Sequence, residues 1–107
     1  MVDHLGPFQD IWNAWDEAHD EIRAKPLSHF RRAAEEQFTE LEHHLAAGDR
    51  EAAAREAVDV ISVALNCLRW LGHQPDEVAE IARSRAELRM RGQALEILEK
   101  YRRLHGI

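Results

Sequence analysis

Apolar residues return every three to four positions along almost the whole chain, and no stretch alternates apolar and polar residues with the period of two that marks a strand. Phe8, Ile11, Trp12, Trp15, His19 and Ile22 form a first helical stripe, opened by Gly6-Pro7 and stopped by Pro26. After Ser28, a candidate cap, Phe30, Ala34, Phe38, Leu41 and Leu45 line one face of a second helix that ends at Gly48. Asp49 is a good cap for a third helix, 51–71, which is apolar over most of its circumference and closes at Gly72. Pro75 fits the first position of a fourth helix, with Asp76 and Glu77 at its positive end, and this helix is expected to run to Arg91. Beyond Gly92, a stripe of Ala94, Ile97, Leu98, Tyr101 and His105 predicts a further helix over about 93–104, packed on the bundle or on a second chain.

These elements predict a single all-α domain over residues 1–107, a bundle of four to five helices. A third helix apolar on most sides needs more cover than the other helices supply, which points to a homodimer or homotetramer. One chain of this length holds one core and not two.

Two acids break the apolar third helix: Glu56 and Asp59, in Glu56-Ala57-Val58-Asp59. An unpaired carboxylate in a buried helix costs several kcal/mol, so each needs a cation or a donor. At i and i+3 the two project to one side, one turn apart. If helices two and three pack as an antiparallel hairpin, Glu40 lies as far before the turn as Glu56 lies after it, and the acids meet. Converging carboxylates repel unless a divalent cation neutralises them, and hard oxygen ligands suit Mg²⁺ or Mn²⁺. The alternative partners are Arg31, Arg55 or a C-terminal arginine in buried ion pairs.

Charge sharpens this picture. The chain holds 14 Lys and Arg against 20 Asp and Glu, a net charge of −6, which argues against nucleic acid polymers and anionic membranes as partners. Residues 81–107 carry 7 basic and 3 acidic groups (net +4), which leaves 7 and 17 (net −10) for residues 1–80, so cation-binding and phosphate-binding surfaces would sit on different elements. Cys67 is the single cysteine, the longest apolar-rich run contains Glu56, Asp59, Asn66 and Arg69, and no signal segment opens the chain; a cytoplasmic protein is expected. Gly-rich phosphate loops, paired cysteines and serine elbows are missing from the sequence.

Glu36-Gln37-Phe38-Thr39-Glu40-Leu41, followed by Glu56-Ala57-Val58-Asp59-Val60-Ile61 and Leu71-Gly72, resembles the MazG-like all-α nucleoside triphosphate pyrophosphohydrolases. That family has a Glu-Glu-x-x-Glu helix, a spacer and an aliphatic Glu-x-x-Asp helix, and the resemblance covers about residues 28–91, including the basic segment Arg85 to Gly92. It implies a bundle of that type and cleavage of a (deoxy)nucleoside triphosphate to monophosphate and pyrophosphate. By the same resemblance Glu40, Glu56 and Asp59 hold Mg²⁺, with Mn²⁺ as a substitute, and Glu36 and Glu40 are the catalytic acids. Arg85, Arg89 and Arg91 would hold phosphates; Gln37, Asn66, Trp12 and Trp15 would contact the nucleoside. Gln37 stands where the family has an acid and Arg89 where relatives often have asparagine. The chain therefore also fits a non-catalytic helical interaction module on the same scaffold.

Overall fold

The computed structural model describes residues 3–107, and every regular element in them is helical. Helix α1 (Phe8–Ala14) passes through a 3₁₀ turn (Trp15–Ala18) into the short α2 (His19–Arg23). The two long helices α3 (Leu27–Ala46) and α4 (Arg50–Trp70) follow, then α5 (Pro75–Arg85), a wide π turn (Ala86–Met90) and α6 (Ala94–His105). None of these helices is long and apolar enough to cross a membrane.

The predicted α3–α4 hairpin is the backbone of the fold. Gly48 takes the left-handed conformation that ends α3, and the Asp49 side chain accepts a hydrogen bond from the amide of Ala52 at 3.0 Å, capping α4. Losing such a cap costs about 1 kcal/mol. The start of α3 differs from expectation: the helix begins at Leu27 directly after Pro26, with no side-chain cap from Ser28. Gln74 and Glu77 form a capping box at the start of α5, with Pro75 in its first turn as predicted.

One continuous first helix is expected up to Pro26, and the chain instead breaks at Trp15–Ala18. The cause is Arg69 of α4. Its Nη2 donates to the carbonyl of Trp12 at 2.7 Å, and its Nη1 lies 2.9 Å from Asp16 and 3.0 Å from Nδ1 of His19. The guanidinium also stacks 4.3 Å from the centre of the Trp12 ring. With the Trp12 carbonyl and the Asp16 side chain drawn towards α4, the chain tightens there by a local turn. Arg69, only 3% exposed, thereby rivets the N-terminal segment to the hairpin. One residue on, the Trp70 indole donates to the carbonyl of Lys25 at 2.8 Å and fixes the end of the same segment.

Trp12, Leu65 and Val78 form the central cluster, joining α1, α4 and α5, with Leu5, Ile11 and Leu68 packed against it. Phe30 is buried at the start of α3, tilted against Trp70 at 5.9 Å between ring centres. Burying side chains of this size contributes roughly 1.5–3 kcal/mol each. Further along the expected α3 stripe Ala34 and Leu41 are half-buried and Phe38 and Leu45 remain exposed, as do Val58 and Ile61 of α4 and Leu71 just after it. After Arg85 the predicted helix widens, with the Arg91 amide bonding back five residues to Ala86 at 2.8 Å, and Gly92 then adopts a left-handed turn. Helix α6 leaves the body of the molecule: Leu95, Leu98, Tyr101 and Leu104 are all exposed.

Candidate functional site

The hairpin brings Glu40 of α3 against Glu56 of α4, as the sequence predicts. The Glu40 carboxyl is held above its ordinary value, first by a carboxyl–carboxyl hydrogen bond to Glu56, then by the charge of Glu56 and by partial burial; His44 and His43 pull the other way. His44 Nε2 stands 3.4 Å from Oε1 of Glu56. Oε2 of Glu56 is buried with no donor when both carboxyls are ionised. A proton on Glu40 or a bound cation supplies what that oxygen lacks.

One helical turn from this pair, towards the N-terminus of α3 and the C-terminus of α4, the hairpin opens into a cavity of about 500 Å³. Gln37 and Asp59, each three residues beyond the paired acids, line it together with Ser62 and Asn66. Ser62 and Asn66 are buried polar groups, and Oε1 of Gln37 is buried without a hydrogen-bond partner. The opposite wall comes from the N-terminal segment: Trp15, Ala18, Ile22 and Lys25, with His29 and Phe30 of α3 at the base. Trp15 is 41% exposed, the most open of the large apolar side chains on this wall. Lys25 is the cation on this wall, and Glu21 shares its charge at 3.7 Å. Apolar walls with a few convergent amide and hydroxyl groups are the usual make-up of a small-molecule site.

Of the residues singled out by sequence, Gln37, Asp59, Asn66 and Trp15 come together in the cavity, and Glu40 and Glu56 meet beside it. Others fall elsewhere. Trp12 is a core residue whose ring face is covered by Arg69. Glu36 is exposed on α3 and lines no cavity. Arg85, Arg89 and Arg91 belong to the end of α5 and the turn after it, and none lines the cavity; Arg91 is bonded to Glu87 at 2.6 Å. Among the described residues no three His, Cys, Asp or Glu side chains converge tightly enough to form a ready-made metal cage. Glu40 and Glu56 form a pair, with Asp59 one turn further along α4.

Sequence reasoning passes over Ser62, Lys25, His29 and Phe30, all of them cavity residues, and also Arg69. Arg69 is as conspicuous as Glu56 once noticed, a charge between Leu68 and Trp70 in an apolar helix. The same desolvation argument that demands partners for the acids demands them for it. Compared with family models, with curated proteins and with solved structures, the chain matches none.

Proposed function

We propose that this chain is a Mg²⁺-dependent nucleotide pyrophosphohydrolase that cleaves a (deoxy)nucleoside triphosphate to its monophosphate and pyrophosphate, Mn²⁺ serving as a substitute. The observation that carries this reading is the Glu40–Glu56 pair, one oxygen of it buried without a donor, placed one turn from a cavity lined by Asp59, Gln37, Asn66 and Trp15. Its size suits a nucleoside. The resemblance in sequence over residues 28–91 names the reaction.

Glu40 and Glu56 would hold the ion, whose charge would relieve a repulsion that His44 offsets only in part, and Asp59, one turn further along α4, is the third acid that the resemblance assigns to it. A divalent ion held there would supply Lewis-acid chemistry, polarising the phosphate and lowering the pKa of a water. Asn66, Ser62 and the unpartnered Gln37 oxygen offer hydrogen bonds to a base or sugar, and the exposed Trp15 offers a stacking surface. Lys25 is the positive group nearest to hand for a phosphate. Glu36 and Glu40 share a helix, and Glu40 is the one that faces Glu56, so it is the better placed of the two to orient a water.

The test is pyrophosphate release from a panel of nucleoside triphosphates with Mg²⁺ or Mn²⁺. Turnover is expected for at least one of them and loss of it in both Glu56→Ala and Asp59→Ala. Activity that survives both substitutions defeats the assignment. A second reading, a non-catalytic helical interaction module, is favoured by Gln37 standing in place of an acid and by Arg85, Arg89 and Arg91 lying away from the cavity. It predicts no turnover of any nucleotide and no rise in melting temperature on adding Mg²⁺.

A further inference from the structure

The chain exposes more surface than a folded monomer of its mass should. Its accessible area is 8023 Å² at 12.4 kDa. The scaling of surface with mass for compact monomers gives about 6,100 Å², so the excess is about 1,900 Å². The radius of gyration agrees: 15.7 Å, against roughly 13 Å for a compact chain of this length. A standard interface takes about 800 Å² from each partner, and an obligate homodimer takes more. The excess is therefore of the size that an obligate self-association covers.

Its position is equally specific. On the face of the hairpin that adjoins the polar cavity, Leu27, Ala34, Val60, Ala64 and Cys67 line an open apolar groove of about 610 Å³. Helix α6 presents the complementary shape, an amphipathic helix with Leu95, Leu98, Tyr101 and Leu104 facing solvent, Leu95 at 82% exposure. Its packing on the other described helices of its own chain is marginal, with Ile97 half-buried. Charge does not decide the pairing: Arg31 is the charged residue that lines the groove, and α6 itself, residues 94–105, holds 3 Lys and Arg against 2 Glu, so area and apolar surface carry the match.

We infer that the groove between α3 and α4 receives helix α6 of a second copy of this chain, so that two copies exchange their C-terminal helices across the hairpin faces. This is helix-in-groove recognition with Leu98, Tyr101 and Leu104 as the anchors on one face and Leu95 at its edge, and the two-fold symmetry of the exchange buries both grooves at once. The inference does not rest on the proposed activity: the groove adjoins the polar cavity through Phe30 and Val63 but includes none of Gln37, Glu40, Glu56 or Asp59.

Cys67 is the chain's single cysteine and lines the groove, which makes a direct test possible. The full chain carrying Leu98→Cys is oxidised mildly at micromolar concentration and run without reductant, beside the unsubstituted chain and the Leu98→Cys/Cys67→Ser double variant. The expected result is a covalent dimer in Leu98→Cys alone, with peptide mapping placing its disulfide between Cys67 of one copy and the introduced thiol of the other. Sedimentation of the unsubstituted, reduced chain should give twice the chain mass. A monomeric mass overturns the inference. So does an intrachain disulfide, which puts α6 in its own groove, or a dimer of the unsubstituted chain joined through Cys67 alone, which puts groove against groove. A dimer that persists in the double variant, joined through the introduced thiols alone, overturns it in favour of α6 against α6.

Discussion

The two sides of the α3–α4 hairpin are built from the same two helices and do opposite things. On one side Gln37, Ser62, Asn66 and Asp59 face a cavity that the chain roofs with its own N-terminal segment. On the other, Leu27, Ala34, Val60, Ala64 and Cys67 face an apolar groove with no roof from its own chain. Polar groups are thus enclosed and apolar groups left open, the reverse of what desolvation alone favours. The inversion makes sense when each side is completed by something that is not this chain: a hydrogen-bonding ligand on the polar side, an apolar helix on the other.

The contrast depends most on Arg69, which holds the roof of the polar side through Asp16, His19 and the Trp12 carbonyl. Replacing it with methionine keeps the volume and removes every one of these bonds. The expected loss is about 3 kcal/mol, from charge-assisted hydrogen bonds given up together while the exposed Asp16 returns to water. For a domain of about 100 residues that lowers the melting temperature by roughly 10–20 °C. A shift of only a degree or two in a thermal melt would show that the N-terminal segment is held by Trp12 packing and Trp70, and that the roof is not Arg69's work.

The open side should respond to concentration instead. A buried carboxylate in the middle of the groove, Ala64→Glu, is expected to weaken association roughly tenfold or more, about 1.4 kcal/mol. The melting midpoint of the unsubstituted chain should rise with protein concentration, and that of Ala64→Glu should rise less. Equal, concentration-independent midpoints for both would mean that this face is solvated surface and the comparison between the two sides is void.

How far the sequence foretells this arrangement depends on whether a feature is local. The hairpin, the Asp49 cap, the left-handed Gly48 and the Pro75 start follow from short-range rules and are present. The meeting of Glu40 and Glu56 needs one step more, that two long helices joined by a tight turn are antiparallel with matched register, and it too is present. The break at Trp15–Ala18 escapes because its cause lies more than fifty residues away in sequence, in Arg69. For the same reason Trp12 and Trp15, three residues apart in one stripe, part company: the turn puts Trp12 in the core and Trp15 on the cavity wall. The exposure of α6 is likewise invisible in its amphipathic pattern, which states that one face seeks cover and not which chain supplies it.

A gentler probe of the polar side is pH. The Glu40 carboxyl is raised above its ordinary value of 4.5 by the facing Glu56, so the folded chain holds this proton more tightly than the unfolded chain does. Glu40 therefore contributes stability below about pH 4.5 that is lost as pH rises through its folded-state value. In chelator, the melting temperature of Glu40→Gln relative to the unsubstituted chain should rise across that window and then level. With Mg²⁺ present at neutral pH the order should reverse, because only the unsubstituted chain keeps both carboxylates for the ion. No pH-dependent difference in chelator would mean that the two carboxyls do not share a site.

The smallest effect is expected at Gln37, and it separates the enzyme from the interaction module. Its Oε1 is buried without a partner on the cavity wall beside Asp59, one turn before Glu40. Gln37→Glu adds a carboxylate beside Glu40, Glu56 and Asp59, at i and i+3 spacing to Glu40, and like charges so placed cost a few tenths of a kcal/mol. Without metal the variant should melt a degree or so lower. If the acids on this side serve a divalent ion, added Mg²⁺ should recover that loss and raise the variant's melting temperature by more than it raises the unsubstituted chain's, since the new carboxylate is a ligand that the amide is not. A variant that stays lower by the same margin with and without Mg²⁺ has gained only repulsion, and the unpartnered Gln37 oxygen then belongs to a cavity that binds by hydrogen bonds alone.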